Sequence, residues 1–531
     1  HGYDVGVKSR SVLIGVGASG LLAACTSLLG DDFVVVSATG TTTATATGSG
    51  GSGTGTAGVG GSSTGTAGSG GNGTGGGVGA SGGSGGAAPE PGEVVWEDSY
   101  GDIEQDWAAG IAYLTDGDIV IAGYFQGSLD FGGGALVSGG DDDAFAARIG
   151  TDGVESWAQK WGGADAESVR SVAADDANGI FLFGSFADTI DFGSPPQLTS
   201  VDEADLFAAK LTAQGDGLWA KRMGGVHLES AYHVRSGPGG DPAFAGTFQD
   251  AISVAGTNLS GPQQEQLIFI SKLAGVDGQV DWAEVAEPGG YPEQVSPHAI
   301  AIDTAGNVAF VAQGAVQGNP GVSVTYDGTT ESSLSSYRLL VLFRTDSTGG
   351  LAWHKRFDLA SAGDVSTFPN GDILACGTYQ GVGTFADGFS LPTAQGNDVW
   401  VAKYSAAGTL SWARPYGGTG NDGGGSSPVE VRCKALSDGS YLLVSPTDGP
   451  FDINGTVVAG ATDSVVVARV AAAGDPIWTV RTSGPGRVID AVVSTDGDEV
   501  ALLLNYDDTT GLVGSFDAVG SDDIYVARIA L

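Results

Sequence analysis

One seven-residue phrase recurs along the C-terminal part of the chain, and it constrains the fold more than any other feature. It first appears as Asp143-Ala144-Phe145-Ala146-Ala147-Arg148-Ile149 and then as Asp205-Leu206-Phe207-Ala208-Ala209-Lys210-Leu211. With drift it returns at Leu267 to Leu273, Leu339 to Thr345, Asp398 to Tyr404, Ser464 to Val470 and Asp523 to Ile529, seven copies in all. Six of them are followed by a glycine and, four residues on, a tryptophan: Gly153/Trp157, Gly215/Trp219, Gly278/Trp282, Gly349/Trp353, Gly408/Trp412 and Gly474/Trp478. A seventh pair, Gly92/Trp96, precedes the first phrase instead.

Each phrase is rich in aromatic and β-branched residues, and the glycine sits where a hairpin must turn. Phrase, turn and Trp segment therefore predict two antiparallel strands. Two more strand signals lie upstream of each phrase, such as Ala109 to Leu114 with Asp118 to Gly123, and Ala299 to Asp303 with Asn307 to Ala312. Four strands per unit and seven units predict an all-β fold, a seven-bladed β-propeller over residues 92–531. The displaced first pair predicts the closure: Val94 to Ser99 adds the outer strand to the last blade, beside Asp523 to Ile529.

The cycle of Asp-Ala-Phe-Ala-Ala-Arg, turn glycine, Trp157 and Gly162-Gly163 resembles the bacterial SBBP-type β-propeller repeats, as does Ala299 to Val308. The resemblance covers about residues 92–531 and implies the propeller fold. The Ala147/Gly153/Trp157 spacing is also similar to the tryptophan-docking repeat of quinoprotein propellers. That motif's acidic and threonine positions are mostly missing here, and a shared fold does not carry that family's chemistry.

The N-terminal region is different in kind. Lys8 and Arg10 precede an apolar stretch, Ser11 to Ala24, with the grammar of an export signal. At about 14 residues the stretch falls short of the ~20 that cross a bilayer. The tail Leu22-Ala23-Ala24-Cys25 resembles the bacterial lipobox, which implies that residues 1–24 are a lipoprotein signal peptide and that Cys25 is acylated. An ordinary signal peptide with an incidental cysteine is the alternative. Thr26 rather than aspartate after the cysteine favours the outer membrane. Thr39 to Gly86 is almost wholly Gly, Ser, Thr and Ala. With nothing to bury against its ordering entropy, residues 25–91 are expected to be a lipid-anchored flexible linker.

The chain carries 62 acidic and 22 basic residues, a formal charge of −40. That excess excludes a nucleic-acid binder held by phosphate neutralisation. It also argues against docking on anionic lipid through a basic patch.

Few residues stand out as chemistry. Basic residues recur at one repeat position: Arg148, Lys210, Lys272, Arg344, Lys403, Arg469 and Arg528. They read either as strand-end cations paired to acids such as Asp143 or Asp205, which is favoured, or as an anion-binding collar. The equal spacing of the tryptophans argues for packing between blades rather than ligand stacking. Asp141-Asp142-Asp143 and Asp522-Asp523 lack the alternating spacing of a dedicated calcium loop and read as solvated turns. Leu129-Asp130-Phe131-Gly132 and Ile190-Asp191-Phe192-Gly193 look like a kinase metal-binding triplet but recur without its companions, so they read as turns. His227, Glu229 and His233 form the nearest thing to a cluster, without a zinc-ligand spacing. Cys376 and Cys433 permit a disulfide in an exported protein, yet both sit in apolar strand patterns, which favours two buried thiols. No cofactor, metal site or catalytic motif is expected.

These features predict an exported, lipid-anchored outer-membrane or cell-surface propeller acting as a non-catalytic binding or scaffold module, with a protein or glycan partner. One alternative is an accessory lipoprotein of a membrane-protein assembly complex, similar to the propeller lipoprotein of the barrel-assembly machine. A second, from another class, is a polysaccharide-acting hydrolase or lyase with its site in the propeller funnel.

Overall fold

The computed structural model describes residues 88–531 apart from 194–196, 202–203, 264, 290–294, 316–322, 333–337, 386–387, 425–429, 461–462 and 520–521. The signal peptide, Cys25 and the predicted linker up to residue 87 lie outside the described residues. The described chain is a propeller-like ring of antiparallel sheets, its helical content a single 3-10 turn at Pro238–Gly240.

Each repeated phrase becomes a strand buried on both faces, which is why it reads as a nearly continuous apolar run. In Asp143–Ile149 and Asp205–Leu211 every residue is buried except the basic one. The order within a unit runs outward from the ring axis. In the first unit it is Asp106–Tyr113, Ile119–Phe125, Asp143–Ile149 and the Trp strand Glu155–Trp161. The inner strands then abut in a closed circle: Asp106–Tyr113, Glu167–Ala174, Ser230–Ser236, Val295–Ile302, the end of Leu351–Thr367, Arg432–Ala435, Arg487–Val493 and back to the first. The segment Val94–Tyr100 pairs antiparallel with Asp523–Ala530, Trp96 opposite Arg528 and Ser99 opposite Tyr525.

The sheets correct the expectation of separate four-stranded blades, for six sheets have four or more strands and they range from four to seven. A further hairpin lies between the second and third strands, and in the third and fourth units it pairs with the outer strand of the preceding unit. Ala251–Val254 pairs with Gly217–Gly225 in this way, and Ser323–Tyr326 with Val280–Gly289. Leu351–Thr367 goes further, leaving the edge of one unit and continuing as the inner strand of the next. Hydrogen bonding therefore runs through unit boundaries. The Asp-Phe-Gly triplets belong to the equivalent hairpins of the first two units, which form separate two-stranded sheets. Asp130 and Asp191 accept the amides of Gly132 and Gly193, both at 2.8 Å. Phe131 and Phe192 meanwhile pack on Tyr100 and Trp161 of the preceding unit.

The tryptophans join neighbours. Trp157 Nε1 donates to the Ala213 carbonyl at 3.0 Å, Trp219 to Gly275 at 3.0 Å, Trp282 to Ser347 at 3.1 Å and Trp353 to Ala406 at 2.9 Å. Each acceptor lies in the next unit's hairpin turn, whose glycine sits under the indole. At Gly349 φ is +92°, and a Cβ there would lie 2.8 Å from the Trp282 ring. Gly92 packs on Trp478 in the same way, so the packing half of the device also closes the ring, although the Trp478 indole N–H has no hydrogen-bond partner there among the described residues. Trp412 differs. Arg414 stacks on its ring at 3.9 Å, donates to the Ala472 carbonyl at 2.7 Å and packs against Gly474.

Cys376 and Cys433 are joined in a disulfide, their Cα atoms 6.3 Å apart, which corrects the favoured reading of two free thiols. Their strands belong to adjacent units, and only the folded ring brings them together.

Three outcomes are expected. Gly349→Val adds both left-handed strain and overpacking against Trp282, a loss of ~2–4 kcal/mol by urea denaturation. Gly439 has φ +86° with nothing within 4 Å, so Gly439→Val should lose only the strain, ~1–2 kcal/mol. Equal losses would refute the docking account. Cys376→Ser removes a cross-link spanning 57 residues and should cost ~2–4 kcal/mol. An unchanged melting temperature under non-reducing conditions would show the bond to be irrelevant.

The third outcome concerns pH. Asp106, at the closing seam, is fully buried and accepts the Asp102 amide at 2.7 Å. Burial pushes its carboxyl up from 3.8 to about 8; the Asp102 amide opposes this, while the charges of Asp102, Asp523 and Glu104 add to it. The folded state therefore holds a proton that the unfolded state releases near pH 4. The associated stability is present at low pH and is lost as pH rises towards 8. Asp106→Asn should flatten that decline between pH 4 and 8, measured by chemical denaturation, and a parallel decline in the variant would contradict it.

Candidate functional site

The inner strands share a defect. Register shifts fall between Ala108 and Gly110, Val169 and Ser171, Ala231 and His233, Pro297 and Ala299, Ala362 and Asp364, and Val488 and Asp490. One extra residue in an antiparallel strand re-aims its side chain, and such bulges recur beside functional sites. The extra residues are Ala109, Arg170, Tyr232, His298, Gly363 and Ile489. All six line one axial cavity of about 210 Å³, together with Arg432 at the head of the remaining inner strand. Phrase and turn are nearly uniform around the ring, whereas this position changes its chemistry at almost every copy.

Beneath the bulge residues a charged layer crosses the axis. Lys434 reaches Asp364 at 2.8 Å and Asp490 at 3.0 Å, and Arg235 reaches Asp490 at 3.4 Å. Arg432 donates to the carbonyls of Ile489 at 2.8 Å and Val488 at 3.2 Å. Burial raises the Asp490 carboxyl, but Lys434, Arg235 and Arg432 outweigh it and hold the group at about 2. His233 donates from Nε2 to the His298 carbonyl at 2.9 Å. Burial, with Arg235 and Arg432, lowers His233 to about 3; burial and Arg432 lower His298 to about 4. Both imidazoles are thus neutral at physiological pH.

On the far side of this layer the axis opens into a second cavity of about 420 Å³, with Ile111, Val172, Ile300, Val365 and Val492 in its wall. At the outer mouth, Trp107 stacks on Tyr124 with centroids 6.4 Å apart. Arg487 covers the Trp107 face at 4.8 Å and Arg170 the Tyr124 face at 4.7 Å. The site thus combines flat aromatic faces, guanidinium groups and a closed, salt-bridged floor.

The recurring basic residues lie elsewhere. Arg148 pairs with Asp116 and Asp118, both at 2.7 Å, and Lys210 with Asp175 at 2.7 Å. Lys272 is 3.5 Å from Asp241, Lys403 3.1 Å from Asp372 and Arg469 2.9 Å from Asp438. Arg344 pairs with Asp303, and Arg528 with Glu499. None of the seven lines an axial cavity. The partner is an acid at the turn between a unit's first two strands, not Asp143 or Asp205, which take Lys160 and Arg222. Arg148 and Lys210 also donate to the carbonyls of Ala213 and Gly275, the acceptors used by Trp157 and Trp219. Cation and indole, opposite each other in register, dock together on the next turn.

His227 pairs with Asp250 at 2.9 Å while His233 faces the axis, so the sequence cluster divides. Asp142 accepts from Gln126 at 2.7 Å, and Asp522 forms a bridge with Gln105. No group of three or more His, Cys, Asp or Glu among the described residues is arranged to hold a metal ion. Sequence reasoning reached His233 but missed Arg170, Tyr232, His298 and Arg432. The available signal was the one non-repeating position in an otherwise repeating strand, visible only once the register shifts are known.

No known protein family and no curated protein matches the chain. Among solved structures, an apocarotenoid oxygenase variant from Synechocystis matches at 10% identity and a TM-score of 0.35, covering 71% of this chain and 72% of that one. The endosialidase of phage phi92 matches at 9% identity and 0.34, covering 82% and 69%. Likenesses this loose carry no functional argument.

Proposed function

We propose that this chain is an exported, lipid-anchored propeller of seven SBBP-type units acting as a non-catalytic binding module, with its ligand held at the axial mouth. The closed circle of inner strands and the seven phrases support the count of units. The lipobox-like Leu22 to Cys25 supports the anchor. The observation that carries the binding role is the set of register shifts that turns the most variable residues of the repeat into one cavity. A general acid or base works best with a pKa near the operating pH. Asp490 near 2 and the imidazoles near 3 and 4 are far from it, which favours binding over turnover.

Two carboxylates on the axis, Asp364 and Asp490, are the feature that favours the hydrolase or lyase reading. A role as accessory lipoprotein of an assembly complex would use the outer loops instead. A panel of mono- and oligosaccharides incubated with the intact protein separates these readings. Binding without product, weakened about tenfold or more by Tyr232→Ala or Trp107→Ala, is expected. Product release that disappears in Asp490→Asn would replace the binding reading with the enzymatic one. A stoichiometric membrane partner captured by crosslinking in intact cells, with no ligand at the mouth, would favour the assembly role.

A further inference from the structure

We propose that the axial mouth selects a small organic carboxylate, no larger than a single acidic sugar. The inference rests on the reading of the mouth as the ligand site and names the chemistry it would recognise.

The charge of the bulge ring carries it. The whole chain has 62 acidic against 22 basic residues. The six bulge residues and Arg432, which together ring the mouth, include two arginines, Arg170 and Arg432, and no acid. The carboxylates in the wall, Asp364 and Asp490, face Lys434 and Arg235 and are neutralised there. Arg170 is exposed, lies on Tyr124, and has no carboxylate within 4.0 Å among the described residues. A guanidinium so placed offers a planar fork that matches a carboxylate. His233 and His298 stay neutral and add hydrogen-bonding capacity without charge.

Size and surface charge narrow the class. The mouth encloses about 210 Å³ and is floored by the salt-bridge layer, below the ~300–1,000 Å³ typical of drug-sized ligands. A long polyanion would have to lie across a protein of charge −40 and is repelled. A small anion reaching the cavity meets Arg170 and Arg432, while the wall carboxylates Asp364 and Asp490 are already paired with Lys434 and Arg235. Tyr232, in the wall, supplies an apolar face for a ring, with the edge of Trp107 beside it.

The test is isothermal titration of the intact protein with sodium D-galacturonate, D-galactose and inorganic phosphate, at low and high salt. Galacturonate should bind at least tenfold more tightly than galactose, and more weakly as salt rises. Arg170→Gln should weaken it about tenfold. Ala109→Asp, which places a carboxylate on the same ring without touching the floor, should abolish it; a circular dichroism melt identical to wild type shows that both variants fold. Phosphate binding more tightly than galacturonate would overturn the carboxylate assignment. Galactose binding equally well and lost in Tyr232→Ala would leave the mouth as a ligand site and overturn its selectivity. Galacturonate binding untouched by either variant would place the ligand elsewhere and remove both readings.

Discussion

A tryptophan of one unit seated on the glycine turn of the next is the contact on which the rest of the structure depends. No unit buries its own outer strand; the indole finds its carbonyl and its packing surface only on a neighbour. The turn must leave space for a ring, so glycine with a left-handed backbone is required at Gly349, where a Cβ would meet Trp282. A basic residue opposite the tryptophan reinforces the docking, as Arg148 and Lys210 show by reaching the same carbonyls as Trp157 and Trp219. Where the tryptophan does not engage, at Trp412, Arg414 takes over both the stacking and the hydrogen bond. The contact tolerates a change of residue, provided that one flat donor spans the gap.

Closure follows from the same contact. Val94–Tyr100 completes the last sheet, and Gly92 receives Trp478, so the two ends of the described chain are held by strand pairing and by docking together. Crossing hairpins and the disulfide between Cys376 and Cys433 add further ties between units. Along the inner strands most residues stay buried in the core, and it is the bulge position that is turned to the axis. That position can carry residues of any chemistry without threatening the fold. The axial mouth is the consequence: a position with little structural constraint, presented by a rigid frame.

Electrostatics divide along the same line. Acidic residues outnumber basic ones, and the recurring cations of the phrase strands are consumed in pairs with acids at the turns. At the axis the balance reverses, with Arg235, Arg432 and Lys434 around Asp364 and Asp490. Burial lowers His233 and His298 first and the neighbouring arginines add to it, while at Asp490 Lys434, Arg235 and Arg432 together overcome burial and hold the carboxyl low.

The repeat was legible because its strands are buried on both faces and must be apolar at every copy; phrase, turn glycine and tryptophan determined the all-β ring and its closing strand. The role of the tryptophans in packing between units, and the reading of the Asp-Phe-Gly segments as turns, were legible for the same reason. Three things were decided only in the folded state. Which strands share a sheet depended on hairpins that cross between units, because backbone hydrogen bonding is indifferent to repeat boundaries. The disulfide depended on two strands from adjacent units coming face to face. The mouth depended on one-residue register shifts: side chains alternate along a strand with period two, so one extra residue sends Arg170 or Tyr232 to the axis, and no pattern in a single copy announces it.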